Sequence, residues 1–209
     1  MPNWTQNRLT ITHNDKDVMD SLMAQVRATD ELFNIIHPMP ENTFRGNLGS
    51  DEREMCQRDD IPNWYEWCCE NWSTKWDACQ LEYNQHDDNS VTFDFDTAWC
   101  APYGVYNALA EQGFEVEAYY VSYENWDAGE WHYHPSNGTD EHDIHIDDLD
   151  DGVTDNIDEV FNVTEQVREL LVERVHDEIV YSLDKDDTTA LYELLSQIDD
   201  DALRNFLPQ

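Results

Sequence analysis

The stretch SVTFDFDTAWCAPYGVYNALAEQGFEVEAYYVSYE, residues 90–124, sets the fold class. Its first part alternates Val91, Phe93 and Phe95 with Thr92, Asp94 and Asp96, the period of a half-buried strand. Pro102 then opens a helical run, PYGVYNALAEQ, which Gly113 ends. Alternation returns at once, with Phe114, Val116 and Ala118 opposed to Glu115, Glu117 and Tyr119. A strand, a helix and a strand, each with one apolar side, point to a sheet with helices packed against it.

Upstream, NRLTITH (7–13) places Leu9 and Ile11 on one face of a strand and Arg8, Thr10 and Thr12 on the other. Asn14 or Asp15 caps a helix carried by Val18, Leu22, Met23 and Val26 to about Thr29. LFNIIHPMP follows as a short extended run, stopped by Pro38 and Pro40. Residues 41–60 are polar and poorly patterned, the signature of a loop. Pro62 begins a helix with Trp64, Trp67, Cys68 and Trp72 along one stripe, and Cys79 to Tyr83 is a candidate strand before the turn at Asp87–Ser90. Short strands are expected at 129–134 and 143–147.

From Asp158 to Leu183 the period becomes helical, through Phe161, Val167, Leu170, Leu171, Val175, Ile179 and Leu183. A shorter helix is expected from Thr188 to Ile198, and a last turn from Ala202 to Leu207. The pattern predicts an α+β sheet domain over 1–150, with an acidic insert near its end, and a helical extension over 151–209. The boundary is expected near 150–157. The apolar stripe of the long helix requires burial, either on the sheet domain or against a second copy as a homodimer.

Charge is unevenly distributed. Residues 76–167 carry 23 Asp or Glu and no Lys or Arg, whereas residues 1–75 carry 13 acids against 7 bases. A net charge of −36 repels nucleic acid phosphate and anionic membranes and attracts basic proteins or cations. With 8 Trp, 10 Tyr and 7 Phe, the acidity does not signify disorder, which goes with few aromatics. No apolar run is long enough for a transmembrane helix, and the N-terminus lacks the regions of a signal peptide. Five cysteines, an odd number without C-x-x-C pairs, fit reduced thiols in a cytoplasm, with Cys68 and Cys69 in core packing.

The opening Met1, Pro2, Asn3, Trp4 with Asn7, Arg8, Leu9 and Thr10 resembles the YubB-type ferredoxin-like family of plasmid and phage proteins. So do Phe33 to Ile36 with Pro38, Met39 and Pro40, then Glu70, Asn71, Trp72 with Thr74 to Ala78, and Phe93 through Trp99. The similarity covers about residues 1–135. It implies a ferredoxin-like antiparallel sheet with helices on one face, often encoded on mobile elements, and brings no catalytic role. After Trp99 the chain departs from the family pattern, with Cys100, Ala101 and Pro102. The acidic stretch around 140–159 and the helical tail are additions to it.

Alternation puts Asp94 and Asp96 on one strand face and Glu115 and Glu117 on another, about 7 Å apart within each strand. If those strands are neighbours, one sheet face carries carboxylates at intervals comparable to nucleic acid phosphates. Asp140, Glu141, Asp143, Asp147, Asp148, Asp150, Asp151, Asp155, Asp158 and Glu159 extend the acidity. The expected function is that of a non-catalytic inhibitor, in the cytoplasm of a host cell. It would occupy the groove of a basic nucleic-acid-binding defence protein by mimicry, without binding nucleic acid or membranes itself. The alternative is a non-catalytic accessory protein with a salt-adapted surface, favoured by an excess of Asp over Glu, 28 to 19, and few lysines.

A third reading, a metal-dependent enzyme, rests on His132 and His134 sharing a strand face, with His142 and His145 near Asp143 and Glu141. The spacing is loose, and no cofactor is expected. Asp147, Asp148, Asp150 and Asp151 before Gly152 offer hard oxygen ligands but are out of register with a calcium loop. Lys75, among Trp72, Trp76 and Asp77, is explained by an ion pair or a cation–π contact. No nucleophile elbow or P-loop is present.

Overall fold

A computed structural model of the chain describes residues 3–146, 154–184 and isolated positions between 188 and 196. In chain order the elements are β1 (Trp4–Thr12), α1 (Lys16–Thr29), α2 (Phe33–Ile36), α3 (Ser50–Asp59), α4 (Trp64–Asn71), β2 (Cys79–Gln85) and β3 (Ser90–Ala98). They continue as α5 (Tyr103–Glu111), β4 (Glu115–Ser122), β5 (Asp127–His134), β6 (Gly138–His145), α6 (Thr154–Phe161) and α7 (Val163–Asp184). The strands form one antiparallel sheet in the order β2-β3-β1-β4-β5-β6. Its first four positions are the ferredoxin-like split β-α-β arrangement, to which the β5–β6 hairpin adds an edge.

Register decides which residues share a face. Leu9 lies between Phe93 and Ala118, and Ala118 faces Trp131. These side chains, with Ile11, Val91, Phe95 and Val116, pack beneath Met19, Leu22, Met23 and Val26 of α1, Phe33 of α2 and Val105 and Leu109 of α5. All are buried, and their removal from water is the main stabilising term. Helix α5 comes so close to α4 that a Cβ on Gly104 would lie 2.0 Å from the Asn71 carbonyl oxygen. Only glycine fits there.

Several local expectations are corrected. The helix α1 buries Met19 rather than Val18, which is 37% exposed. The run LFNIIHPMP contains the short helix α2 because Asp77 supplies its N-terminal acceptor from far along the chain. Asp77 Oδ1 accepts the backbone N–H of Leu32 at 3.0 Å, Phe33 at 2.8 Å and Ala78 at 2.8 Å, while Oδ2 accepts Asn34 at 2.9 Å. The loop expected over 41–60 holds α3, closed by the Glu52 carboxylate accepting Gly49 N–H at 3.0 Å. Helix α4 starts at Trp64 behind the Asn63 cap, leaving Pro62 outside it.

The helical region also differs. Asn162, at φ 53°, interrupts the helix expected over Asp158–Leu183 and separates α6 from α7. Contacts divide the chain after Phe161 rather than near 150–157, because α6 packs on β4 and β5 through the fully buried Ile157. In the second unit, Val175 of the expected apolar stripe is exposed, as are Val172, Val180 and Tyr181. The elements expected over Thr188–Ile198 and Ala202–Leu207 fall largely or wholly outside the described residues. Among the described residues no helix is long and apolar enough to cross a membrane.

Asp77→Ala removes the acceptor for backbone donors that cap α2 and is expected to lower stability by about 2–3 kcal/mol. Urea unfolding followed by circular dichroism measures the loss. Asp77→Asn, which keeps one acceptor oxygen, is expected to recover part of it.

Candidate functional site

The sheet face turned away from α1 and α5 carries Asp94 and Asp96 on β3 and Glu115 and Glu117 on β4, as alternation requires. The two pairs flank β1 rather than lying on adjacent strands, and they are staggered along it, Asp94 and Asp96 opposite Arg8 and Gln6, Glu115 and Glu117 opposite Thr12 and Thr10. Between them runs the outer row of β1, with Arg8 at its centre. Arg8 Nε lies 2.7 Å from Asp94 Oδ1, with both side chains about 40% exposed. The expected continuous acidic array is thus divided by a cation.

Other carboxylates are held by uncharged donors. Gln80 Nε2 donates to Asp96 Oδ2 at 2.6 Å, and Tyr119 Oη donates to Glu117 Oε1 at 2.7 Å. Partial burial raises the Asp96 carboxyl above its usual range against the opposing Gln80 bond. Burial first, then the Glu117 bond and the charges of Glu117, Glu130 and Glu159, hold the Tyr119 phenol above its ordinary value.

The hairpin splits its acids between faces. Asp140 and His142 share the outer face with Glu117 and Glu130, whereas Glu141 and Asp143 lie on the face of Trp131 and Gly129. The expected proximity of His142 to Asp143 and Glu141 therefore fails. His142 Nδ1 instead lies 3.5 Å from Glu130 Oε1 and 3.8 Å from Asp140 Oδ1. His132 Nε2 is 3.2 Å from Glu130 Oε2, and His134 Nε2 is 3.7 Å from Glu115 Oε2. His145 pairs with Asp127 at the strand end, out of alternation with His142. Among the described residues no group of three or more His, Cys, Asp or Glu has the arrangement of a metal site.

Glu130, 8% exposed between two imidazoles, is an outer-face carboxylate that sequence reasoning missed. Its place in DAGEWHYH, two residues before His132 on one strand face, was the available signal. A carboxylate withdrawn from water needs cationic or donor neighbours; the two imidazoles stand nearest, yet its buried Oε2 accepts no hydrogen bond among the described residues. Lys75 is accounted for as expected: its Nζ sits 4.3 Å from the Trp76 ring centroid, 5.6 Å from Trp99 and 5.9 Å from Tyr65.

Asp143 is a structural acceptor. Tyr120 Oη at 2.5 Å and Tyr103 Oη at 2.9 Å both donate to its Oδ1. Gly129 makes this possible, since a Cβ there would lie 2.5 Å from Tyr120 Oη and 2.7 Å from the His142 carbonyl. Burial, together with the Asp143 bond, pushes both phenols up, Tyr120 further than Tyr103. Asp147, Asp148, Asp150 and Asp151 lie outside the described residues, and Asp155 is placed only by its backbone in α6. Asp158 and Glu159 stand on α6, where the Asp158 charge adds to the burial that pushes the Tyr123 phenol up to about 12.

Neither a family model nor a curated protein matches the sequence. Among solved structures, the chain is similar to the crystal structure of the protein api92 from Yersinia pseudotuberculosis, from the family model DUF1281. Identity is 11% and the TM-score 0.46, over 69% of this chain and 98% of that one.

Two measurements test this geometry. Gly129→Ala is expected to cost about 1–3 kcal/mol by forcing Tyr120 from Asp143, read as a lower urea midpoint. In an alkaline titration, Tyr103, Tyr106, Tyr119 and Tyr120 keep their protons in the folded state above the unfolded value of about 10. The unfolded chain then binds fewer protons, so stability falls as pH rises above that value toward the folded ones. Phenolate absorbance is expected to rise together with loss of circular dichroism for these residues.

Proposed function

We propose that this chain is a non-catalytic binding protein that occupies a basic, nucleic-acid-binding groove of another protein by offering carboxylates in place of phosphates. The observation that carries this reading is the one-signed side of the sheet from β4 to β6. Glu115 and Asp140 are exposed on the outer face and Glu141 on the opposite one, and no Lys or Arg occurs anywhere from 76 to 167. The carboxylates committed to the fold, Asp94, Asp96, Glu117, Glu130 and Asp143, are held by named partners. Binding would use the exposed Glu115, Asp140, Glu141 and Glu159, together with Asp147, Asp148, Asp150, Asp151 and Asp155.

Such a surface draws a basic partner by long-range attraction, speeds its encounter and loses affinity as salt screens the charges. Resemblance to plasmid- and phage-encoded proteins makes a host defence protein, of the restriction or CRISPR kind, the partner to seek in the cytoplasm. The competing reading is a salt-adapted accessory protein. It draws on the abundance of Asp and on how many carboxylates are already tied into the fold.

The test is capture from bacterial lysate at low salt with elution by competing DNA. One or two nucleic-acid-binding proteins released by DNA are expected. The combined Glu115→Gln, Asp140→Asn and Glu141→Gln variant should weaken binding of the released protein by about tenfold or more, with an unchanged melting temperature. Neutralising Asp147, Asp148, Asp150 and Asp151 together should also weaken binding more than it alters folding. Undiminished binding in both variants, or a fold that melts at room temperature without molar KCl, would sink the proposal.

A further inference from the structure

A cavity of about 300 Å³ opens at the end of the sheet on the helix-bearing side. Its wall is aromatic, from Trp99, Tyr103 and Tyr120, and its charged groups are the carboxylates of Asp127 and Asp143. Register places these acids on one face of the hairpin, since Asp127 pairs with His145 and Asp143 with Gly129. Both tyrosine hydroxyls spend their protons on Asp143 Oδ1. Among the described residues none donates to Oδ2. Thr5, fully buried, also lines the cavity, and its Oγ1 has no hydrogen-bond partner among the described residues. Cys100 directs its thiol to the Ser73 carbonyl at 2.8 Å, and burial holds that thiol protonated.

Trp99 is the strained member. Its φ of 79° lies in the left-handed region, which a bulky residue rarely adopts. Two hydrogen bonds hold its backbone: Trp99 N–H donates to the Asn3 carbonyl at 2.9 Å, and the Asn125 side-chain Nδ2 donates to the Trp99 carbonyl at 3.0 Å. The indole nonetheless stays 39% exposed at the cavity. The ring also meets Tyr65, with centroids 6.4 Å apart, and lies 5.6 Å from Lys75 Nζ, so only its remaining open surface serves the cavity.

Among the described residues, acceptors short of donors, two carboxylates and π-faces favour one chemistry. An anion is repelled, a neutral apolar group leaves the carboxylates and Thr5 Oγ1 unsatisfied, and a hard divalent ion would need more oxygen ligands than the cavity gathers. We propose that this cavity binds a monocationic organic group, an alkylammonium or guanidinium, with its N–H groups on Asp143, Asp127 and Thr5 Oγ1 and its charge against Trp99 and Tyr103. The proposal goes beyond the acidic-surface reading and does not rest on it, because Trp99, Thr5 and Asp127 play no part in that surface. The group arrives either as a free amine or as a basic side chain of another protein.

The test uses the full chain labelled with ¹⁵N, titrated with n-butylammonium, with N-acetyl-arginine amide and with the neutral N-acetyl-citrulline amide. Saturable shifts of the Trp99 indole N–H with the two cations, at least about tenfold stronger than with citrulline, are expected. Asp127→Asn and Asp143→Asn should each abolish saturation, the latter keeping an oxygen for both tyrosines. Trp99→Gly removes the indole reporter and its contacts with Tyr65 and Lys75, so its folding is checked by circular dichroism. Its binding is read on the backbone amides of Asp127 and Asp143, whose saturable shifts should be lost. A Gly-Arg-Gly peptide binding more tightly than n-butylammonium assigns a protein side chain as the source, and the reverse order assigns a free amine. Equal response to citrulline, or cation binding unchanged in both folded Asp variants and in Trp99→Gly, overturns the proposal. Loss of this response would leave DNA-competed capture of a partner intact, so the two readings fail separately.

Discussion

Repulsion between carboxylates is the constraint that shapes this molecule. Strands put alternate residues on one face about 7 Å apart and neighbouring strands within about 5 Å, so a chain this acidic cannot fold with its acids placed at random. The sheet answers with a different device at each carboxylate row. Arg8 takes Asp94 at the centre, Gln80 takes Asp96 toward one edge, Tyr119 takes Glu117 along its own strand, and His132 and His142 enclose Glu130. On the other face Tyr103 and Tyr120 converge on Asp143. Only one of these devices uses a permanent cation, which is how residues 76–167 dispense with Lys and Arg.

Much of this frame was legible in the sequence because burial on one face writes a period of two into a strand. The β3-α5-β4 unit follows directly from residues 90–124, and Trp72 of the first tryptophan segment is buried against Phe33, which in turn meets Phe95 of the sheet. What escaped is whatever depends on contacts between distant positions. Helix α2 exists because Asp77 reaches back to its N–H groups, and no local pattern in LFNIIHP reports that. Helix α3 buries just Cys56 among its hydrophobic residues, so it carries almost no amphipathic signal. The insertion of β1 between β3 and β4 is a property of topology, and it converts two presumed adjacent acid pairs into pairs divided by Arg8. Register along the hairpin likewise decided which acids of 140–143 face which way.

The same accounting narrows what the acidity has to explain. A carboxylate that accepts from two tyrosines or lies between two histidines belongs to the fold, whatever the protein does. Exposed carboxylates stand at Glu115 on the inner strand β4, at Asp140 and Glu141 on the edge strand β6, and at Glu159 on α6. Charge on an edge strand blocks unwanted strand pairing with another chain, so part of the β6 acidity protects that edge. Edge protection, however, needs only a few charges on β6. It gives no reason for acids on β4 and α6 or for the lack of any cation over 76–167. That excess is what a basic partner would meet.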